Sequence, residues 1–116
     1  MAVITSREFH EASGVADWRA TAAGAAAYFD TRDFNAGAAF VAEIAKLADA
    51  ANHHPDVDLR YRGVTVRVVT HSAGGLTQKD VELARQISDA AARLGIAADP
   101  SRLPPPTDPT HGGSPD

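Results

Sequence analysis

The sequence contains no cysteine. Without a thiol the chain can close no disulfide, supplies no thiolate nucleophile and offers no sulfur ligand to a metal, which suits a reducing cytosol. Long apolar runs are missing too. No stretch approaches the roughly 20 residues that cross a bilayer as a helix, and no basic segment followed by an apolar core opens the chain. The expectation is a soluble, cytoplasmic protein with no membrane partner. Nor do Lys and Arg cluster: they number 11 against 15 Asp and Glu, for a formal net charge of -4 and a pI near 5.6. Phosphate recognition needs a concentrated positive surface, so no nucleic-acid partner is expected. With 116 residues and no internal repeat, the chain has room for one domain and a real core.

What is there is an alternation of helical and strand patterns. Thr5, Ser6, Arg7 and Glu8 form a capping-box sequence, predicting a short helix that carries His10 and ends near Gly14. Residues 18–21 and 25–29 read as two strands around a turn at Gly24. Asp33 is a good N-cap for the longest helix, in which Phe34, Gly37, Val41, Ile44, Leu47, Ala48 and Ala51 recur at helical spacing. Val57, Leu59 and Tyr61 alternate with polar residues, and after a turn at Arg62 and Gly63 so do Val64, Val66 and Val68. That is the pattern of an antiparallel hairpin with one buried face. A last helix spans about residues 78–94, opened by Thr77 and closed by Gly95. The order α-β-β-α-β-β-α predicts an α+β fold over residues 1–98: a four-stranded antiparallel sheet with three helices on one face.

From residue 99 the composition changes, with Pro100, Pro104, Pro105, Pro106, Pro109 and Pro115 set among Asp, Ser, Thr and Gly. Burial there cannot offset the entropy of ordering, so residues 99–116 are expected to form a disordered tail. Its functional alternative is a polyproline ligand for another protein.

Residues 49–80 hold three of the five histidines, His53, His54 and His71, with Asp49 and Asp80 at the ends. Asp49 and His53 stand at i and i+4 at the end of a helical pattern and so share a face. Pro55 disfavours the α conformation at His54, which predicts that the helix stops there and the two imidazoles turn onto different paths. Each group also has a purely structural role open to it. His53 can complement a helix macrodipole, Asp80 can be a capping acid, and Asp49 and His53 can be an exposed pair. Their occurrence together in one short span is what favours a site.

In that set the sequence resembles the pterin-4a-carbinolamine dehydratase family, whose pattern is an acid, three residues, His-His-Pro, an aromatic, a later histidine and a later Asp. Asp49, His53, His54, Pro55, Tyr61, His71 and Asp80 stand in register with it. The resemblance extends through Phe29, Asp33, Phe34, Asn35, the Thr70-His71 pair, the Gly74-Gly75-Leu76-Thr77 turn and the Leu83-Ala84 pair. It departs at Asp49, where the family usually has the longer Glu, and in the alanine-rich residues 20–27.

The resemblance implies a 4a-hydroxytetrahydrobiopterin dehydratase, a lyase that converts the carbinolamine to quinonoid dihydropterin in tetrahydrobiopterin recycling. That reaction delivers a proton to the departing hydroxyl at C4a and takes one from N5, tasks suited to imidazole with its unperturbed pKa of about 6.5. By resemblance, His53 and His71 transfer protons and His54 binds or polarises the pterin. Asp80 holds an imidazole in its working tautomer, and Asp49, Pro55, Thr70, Ser72 and Ala73 complete the binding site. The resemblance implies no cofactor and no metal, a small-molecule pterin as partner, and a homodimer or homotetramer. Two alternatives stay open. Three histidines and an Asp are candidate zinc ligands, although neighbours such as His53 and His54 tend to point apart. Family members also act as non-catalytic proteins that stabilise other assemblies.

Overall fold

Alternation of apolar with polar residues over 56–59 and 63–68 builds one half of the sheet at the centre of the fold, and the small, buried residues 24–27 open the strand beside it. In the computed structural model, which describes residues 2–103, β1 (Arg19–Thr21), β2 (Gly24–Asp30), β3 (Asp56–Leu59) and β4 (Gly63–Val68) are antiparallel in the spatial order β1-β2-β4-β3. The register sets Ala25 opposite Val68, Ala27 opposite Val66 and Phe29 opposite Val64. These side chains share one face and are buried, whereas Asp56 opposite Arg67 and Asp58 opposite Thr65 lie on the other.

The apolar face is covered by α1 (Ser6–Glu11), α2 (Phe34–Ala51) and α3 (Gln78–Arg93), the expected α+β architecture. Phe9 of α1, Phe40 and Ile44 of α2, and Leu83, Ala84 and Ile87 of α3 join the strand residues in a single core. Phe29 meets Phe40 edge to face at 5.0 Å and Trp18 at 6.1 Å. Gly37 brings α2 close to the sheet: a Cβ there would stand 2.7 Å from Cδ1 of Leu59, whose side chain would have to shift. All three helices start on the side-chain caps that the sequence names, at Thr5, Asp33 and Thr77.

Some boundaries differ from the expected ones. The first helix stops at Glu11 because Ala12 is already extended, and Tyr61 lies in the hairpin turn beyond the end of β3. His10, remote from the motif, ties α1 to β1 by accepting the Ala20 N–H on Nε2 at 3.1 Å.

A fifth strand, β5 (Ala97–Ala98), pairs with Phe29 and Asp30 of β2, along the part of that edge which β1 leaves uncovered. Asp99 then donates its N–H to the Tyr28 carbonyl at 2.8 Å. Pro100–Arg102 forms a 3-10 turn that brings the Arg102 guanidinium 5.2 Å from the centre of the Tyr28 ring. The expected start of the tail at residue 99 is thus corrected for residues 99–103, where pairing to a free strand edge and a cation–π contact supply what composition alone does not. The rest of the expected tail, residues 104–116, lies outside the described residues. No helix among the described residues is long and apolar enough to cross a membrane.

Candidate functional site

The site begins where α2 ends. Asn52 adopts a left-handed conformation (φ 50°, ψ 44°), its N–H meets the Asp49 carbonyl at 3.2 Å, and the His53 N–H reaches back to the Ala48 carbonyl at 3.1 Å. This is a Schellman ending, with Asn in the position that most often takes Gly. The helix therefore stops at Ala51, before His54 and Pro55, because the αL residue has already broken the ladder. His53 is carried off the face it would have shared with Asp49 and turned toward α3.

There its Nε2 lies 2.6 Å from Oδ1 of Asp80, with the His53 side chain 12% exposed and the Asp80 side chain 0% exposed. Asp80 sits at the third position of α3. Its other oxygen, Oδ2, accepts the Thr77 N–H at 2.9 Å, completing the capping box, and the Thr70 hydroxyl at 2.7 Å. One oxygen of Asp80 thus caps α3 and the other meets the His53 imidazole. A buried carboxyl group without such donors would be strongly unfavourable, so this hydrogen bonding is what lets Asp80 stay buried. Donor and acceptor in this contact follow from the imidazole tautomer: with the carboxylate accepting, the proton is on Nε2 of His53, and Nδ1 makes no hydrogen bond among the described residues.

The expected pairing of Asp49 with His53 is corrected. After the turn at Asn52, Asp49 meets His54 instead, Oδ1 to Nε2 at 2.9 Å, in a contact whose side chains are 59% (His54) and 78% (Asp49) exposed. His71 opens the 3-10 turn His71–Ala73 directly after buried Thr70; its ring is exposed and makes no side-chain hydrogen bond among the described residues. The Thr70 N–H bonds to the Gly75 carbonyl at 3.1 Å and closes this loop. Ser72 is exposed, while Ala73 and Pro55 are half-buried.

Of the residues singled out in the sequence, then, His53, Asp80 and Thr70 form one connected cluster. Asp49 and His54 form a second pair beside it, and His71, Ser72 and Ala73 follow on the loop anchored by Thr70. Sequence reasoning missed Thr77 as part of the cluster and Asn52 as the residue that aims His53. The capping-box pattern carried a signal for the first; for the second the only cue was an Asn at the end of a helical pattern.

Among the described residues no three His, Asp or Glu side chains are grouped so as to hold a metal ion, the buried and exposed imidazoles having gone to different carboxylates. Two surface cavities of about 290 Å³ each are lined by residues other than the motif's histidines and acids, one by His10, Val15, Ala16, Trp18 and Arg19, the other by Asp56, Val57, Asp58, Thr65 and Arg67. The motif thus holds one buried imidazole against Asp80 and two exposed ones, His54 on Asp49 and His71 on its loop; an imidazole can accept or deliver a proton near neutrality.

The family model described as Pterin 4 alpha carbinolamine dehydratase matches residues 3–90. A provisionally named pterin-4-alpha-carbinolamine dehydratase of Acidobacterium capsulatum is 41% identical over 88 residues, covering 75% of this chain and 96% of that one. A relative of the same provisional name from Roseiflexus sp. is 54% identical over 61 residues, and the match spans 53% of this chain and just under two thirds of that protein, 66%. Among solved structures, a Brucella melitensis protein described as a transcriptional coactivator/pterin dehydratase is similar at a TM-score of 0.71 and 29% identity, over 78% of this chain and 99% of that one.

Proposed function

The chain belongs to the pterin 4 alpha carbinolamine dehydratase family, and on that footing we propose that it is a 4a-hydroxytetrahydrobiopterin dehydratase working by histidine acid/base catalysis in tetrahydrobiopterin recycling. The observation that carries this reading is the His53–Asp80 contact, in which a buried carboxylate fixes one nitrogen of an imidazole and leaves the other free. In the proposed reaction the N5 proton passes to one imidazole, and the N5 electron pair forms the C4a–N5 double bond. The C4a–O bond breaks as its hydroxyl takes a proton from a second imidazole and leaves as water. His53 and His71 are assigned these two transfers. His54, braced by Asp49, binds or polarises the pterin, and Pro55 with the backbone of residues 70–73 lines its site. Two imidazoles suffice for both transfers, so the proposal invokes no cofactor and no metal.

The same proposal takes the small pterin as partner, a cytoplasmic setting, and a homodimer or homotetramer. Among the described residues β3 pairs only with β4, and a free strand edge of this kind favours self-association. The test is the rate of 4a-hydroxytetrahydropterin dehydration with and without the protein. Acceleration that disappears in His53→Ala supports the assignment, and a rate equal to the uncatalysed one overturns it.

The Brucella neighbour is described as a coactivator as well as a pterin dehydratase, and the first of these raises a second reading, a non-catalytic partner-binding protein of the same fold. A chain kept only for binding has no chemical need for a buried, fully hydrogen-bonded carboxylate directed at one imidazole. A protein that leaves dehydration unaccelerated yet forms a stable complex with another protein would put this reading first.

A further inference from the structure

We propose that Thr70 is a positioning residue for the proton-transfer site, acting through Asp80 to hold His53 as its Nε2–H tautomer with Nδ1 turned to the substrate. The inference rests on the dehydratase reading for its catalytic meaning and on hydrogen-bond geometry for its content.

A carboxylate turns easily about its last torsion, so one donor on Oδ2 does not fix which lone pair of Oδ1 meets His53. Asp80 has two donors there: the Thr77 N–H, fixed by the start of α3, and the Thr70 hydroxyl, brought from the end of β4. Their directions are not free to reverse. Thr70 has one hydroxyl proton, and it goes to Asp80. Its 2.8 Å contact with the Thr77 hydroxyl therefore uses the Thr77 proton, with Thr70 accepting. The Thr77 oxygen in turn accepts the Lys79 N–H at 3.2 Å. Every hydroxyl proton is thus assigned, and the chain of donors runs one way, from Lys79 through Thr77 and Thr70 to Asp80.

Thr70 and Thr77 are 5% and 0% exposed, so water is not at hand to replace either hydroxyl. Thr70 also immediately precedes His71 and closes the loop that carries it. One residue thereby bears on both imidazoles assigned to proton transfer.

Thr70→Val keeps the shape and the β-branch and removes only the hydroxyl, while Thr70→Ser restores it. Two readouts apply to the whole chain: the ring-nitrogen chemical shifts of His53 by NMR, which report its tautomer, and steady-state dehydration. The wild-type protein is expected to show the Nε2–H tautomer. In Thr70→Val a mixture of tautomers is expected, with kcat lowered about tenfold, the size of one ordinary hydrogen bond, and KM nearly unchanged. Thr70→Ser is expected to recover both. An unchanged tautomer or an unchanged kcat in folded Thr70→Val overturns the proposal. A wild-type Nδ1–H tautomer overturns it without any variant, and if the valine protein does not fold, the same two readouts on Thr70→Ala decide by the same outcomes. Should the wild-type protein fail to accelerate dehydration, the functional reading falls while the tautomer comparison still decides the role of Thr70.

Discussion

Asp80 gives one carboxylate oxygen to the start of its own helix and holds the other 2.6 Å from Nε2 of His53, so a helix cap and the contact proposed for proton transfer share a side chain. Asp80→Asn separates the two. The amide oxygen can still accept from Thr70 and Thr77, but its NH₂ then faces His53 and demands an unprotonated Nε2, the wrong tautomer. Turnover should fall by about 10² or more, as for a lost acid/base group, with little change in melting temperature. Asp80→Ala should instead lower stability by about 1–3 kcal/mol, because buried donors lose their acceptor. Thermal melts and dehydration rates of the two variants check both statements.

His53→Ala and His71→Ala should each slow dehydration by roughly 10² to 10⁴, or to the uncatalysed background if that comes first. His54→Ala should act mainly on KM, since its ring, paired to Asp49 at the surface, is assigned to binding. Circular dichroism should show all three variants folded. A His71→Ala protein with the parental kcat would remove that residue from the mechanism and leave His53 without its assigned partner.

Much of this fold is legible in the sequence, because capping and alternation are local. Asp33 and Thr77 start their helices by reaching backbone N–H groups within one turn, and the valines of β4 alternate because one face of the hairpin is covered. What was hidden depends on a single backbone conformation or on distant partners. Asn52 reverses which histidine meets Asp49 by entering the left-handed region, and spacing along an assumed helix cannot anticipate that. The Thr70 contact to Asp80 joins a strand end to a helix start. The fifth strand is two alanines long, too short for a pattern, and forms because β1 leaves part of β2 unpaired.

The Asn52 conformation makes its own prediction. Asn52→Gly keeps easy access to positive φ and should preserve activity. Asn52→Val puts a β-branched residue at φ 50°, at a cost of about 1–2 kcal/mol or more. Because the turn also aims His53, the valine variant should lose turnover beyond what its lower melting midpoint explains at the assay temperature. Activity that tracks stability alone would mean His53 finds Asp80 by another route.

The C-terminal residues divide at Leu103. Residues 99–103 return an N–H to Tyr28 and set Arg102 over its ring, contacts of about 0.5–1.5 and 0.5–1 kcal/mol respectively. In a domain of this size about 1 kcal/mol moves a melting midpoint by roughly 4–8 °C. A chain cut after Ala98 should therefore melt several degrees lower than one cut after Leu103. The composition of residues 104–116 predicts that the latter cut matches the full chain in both melting and dehydration. Equal midpoints for the two truncations would show that the Tyr28 contacts stabilise nothing. A loss on removing residues 104–116 alone would instead assign the Pro-rich segment a place on the domain.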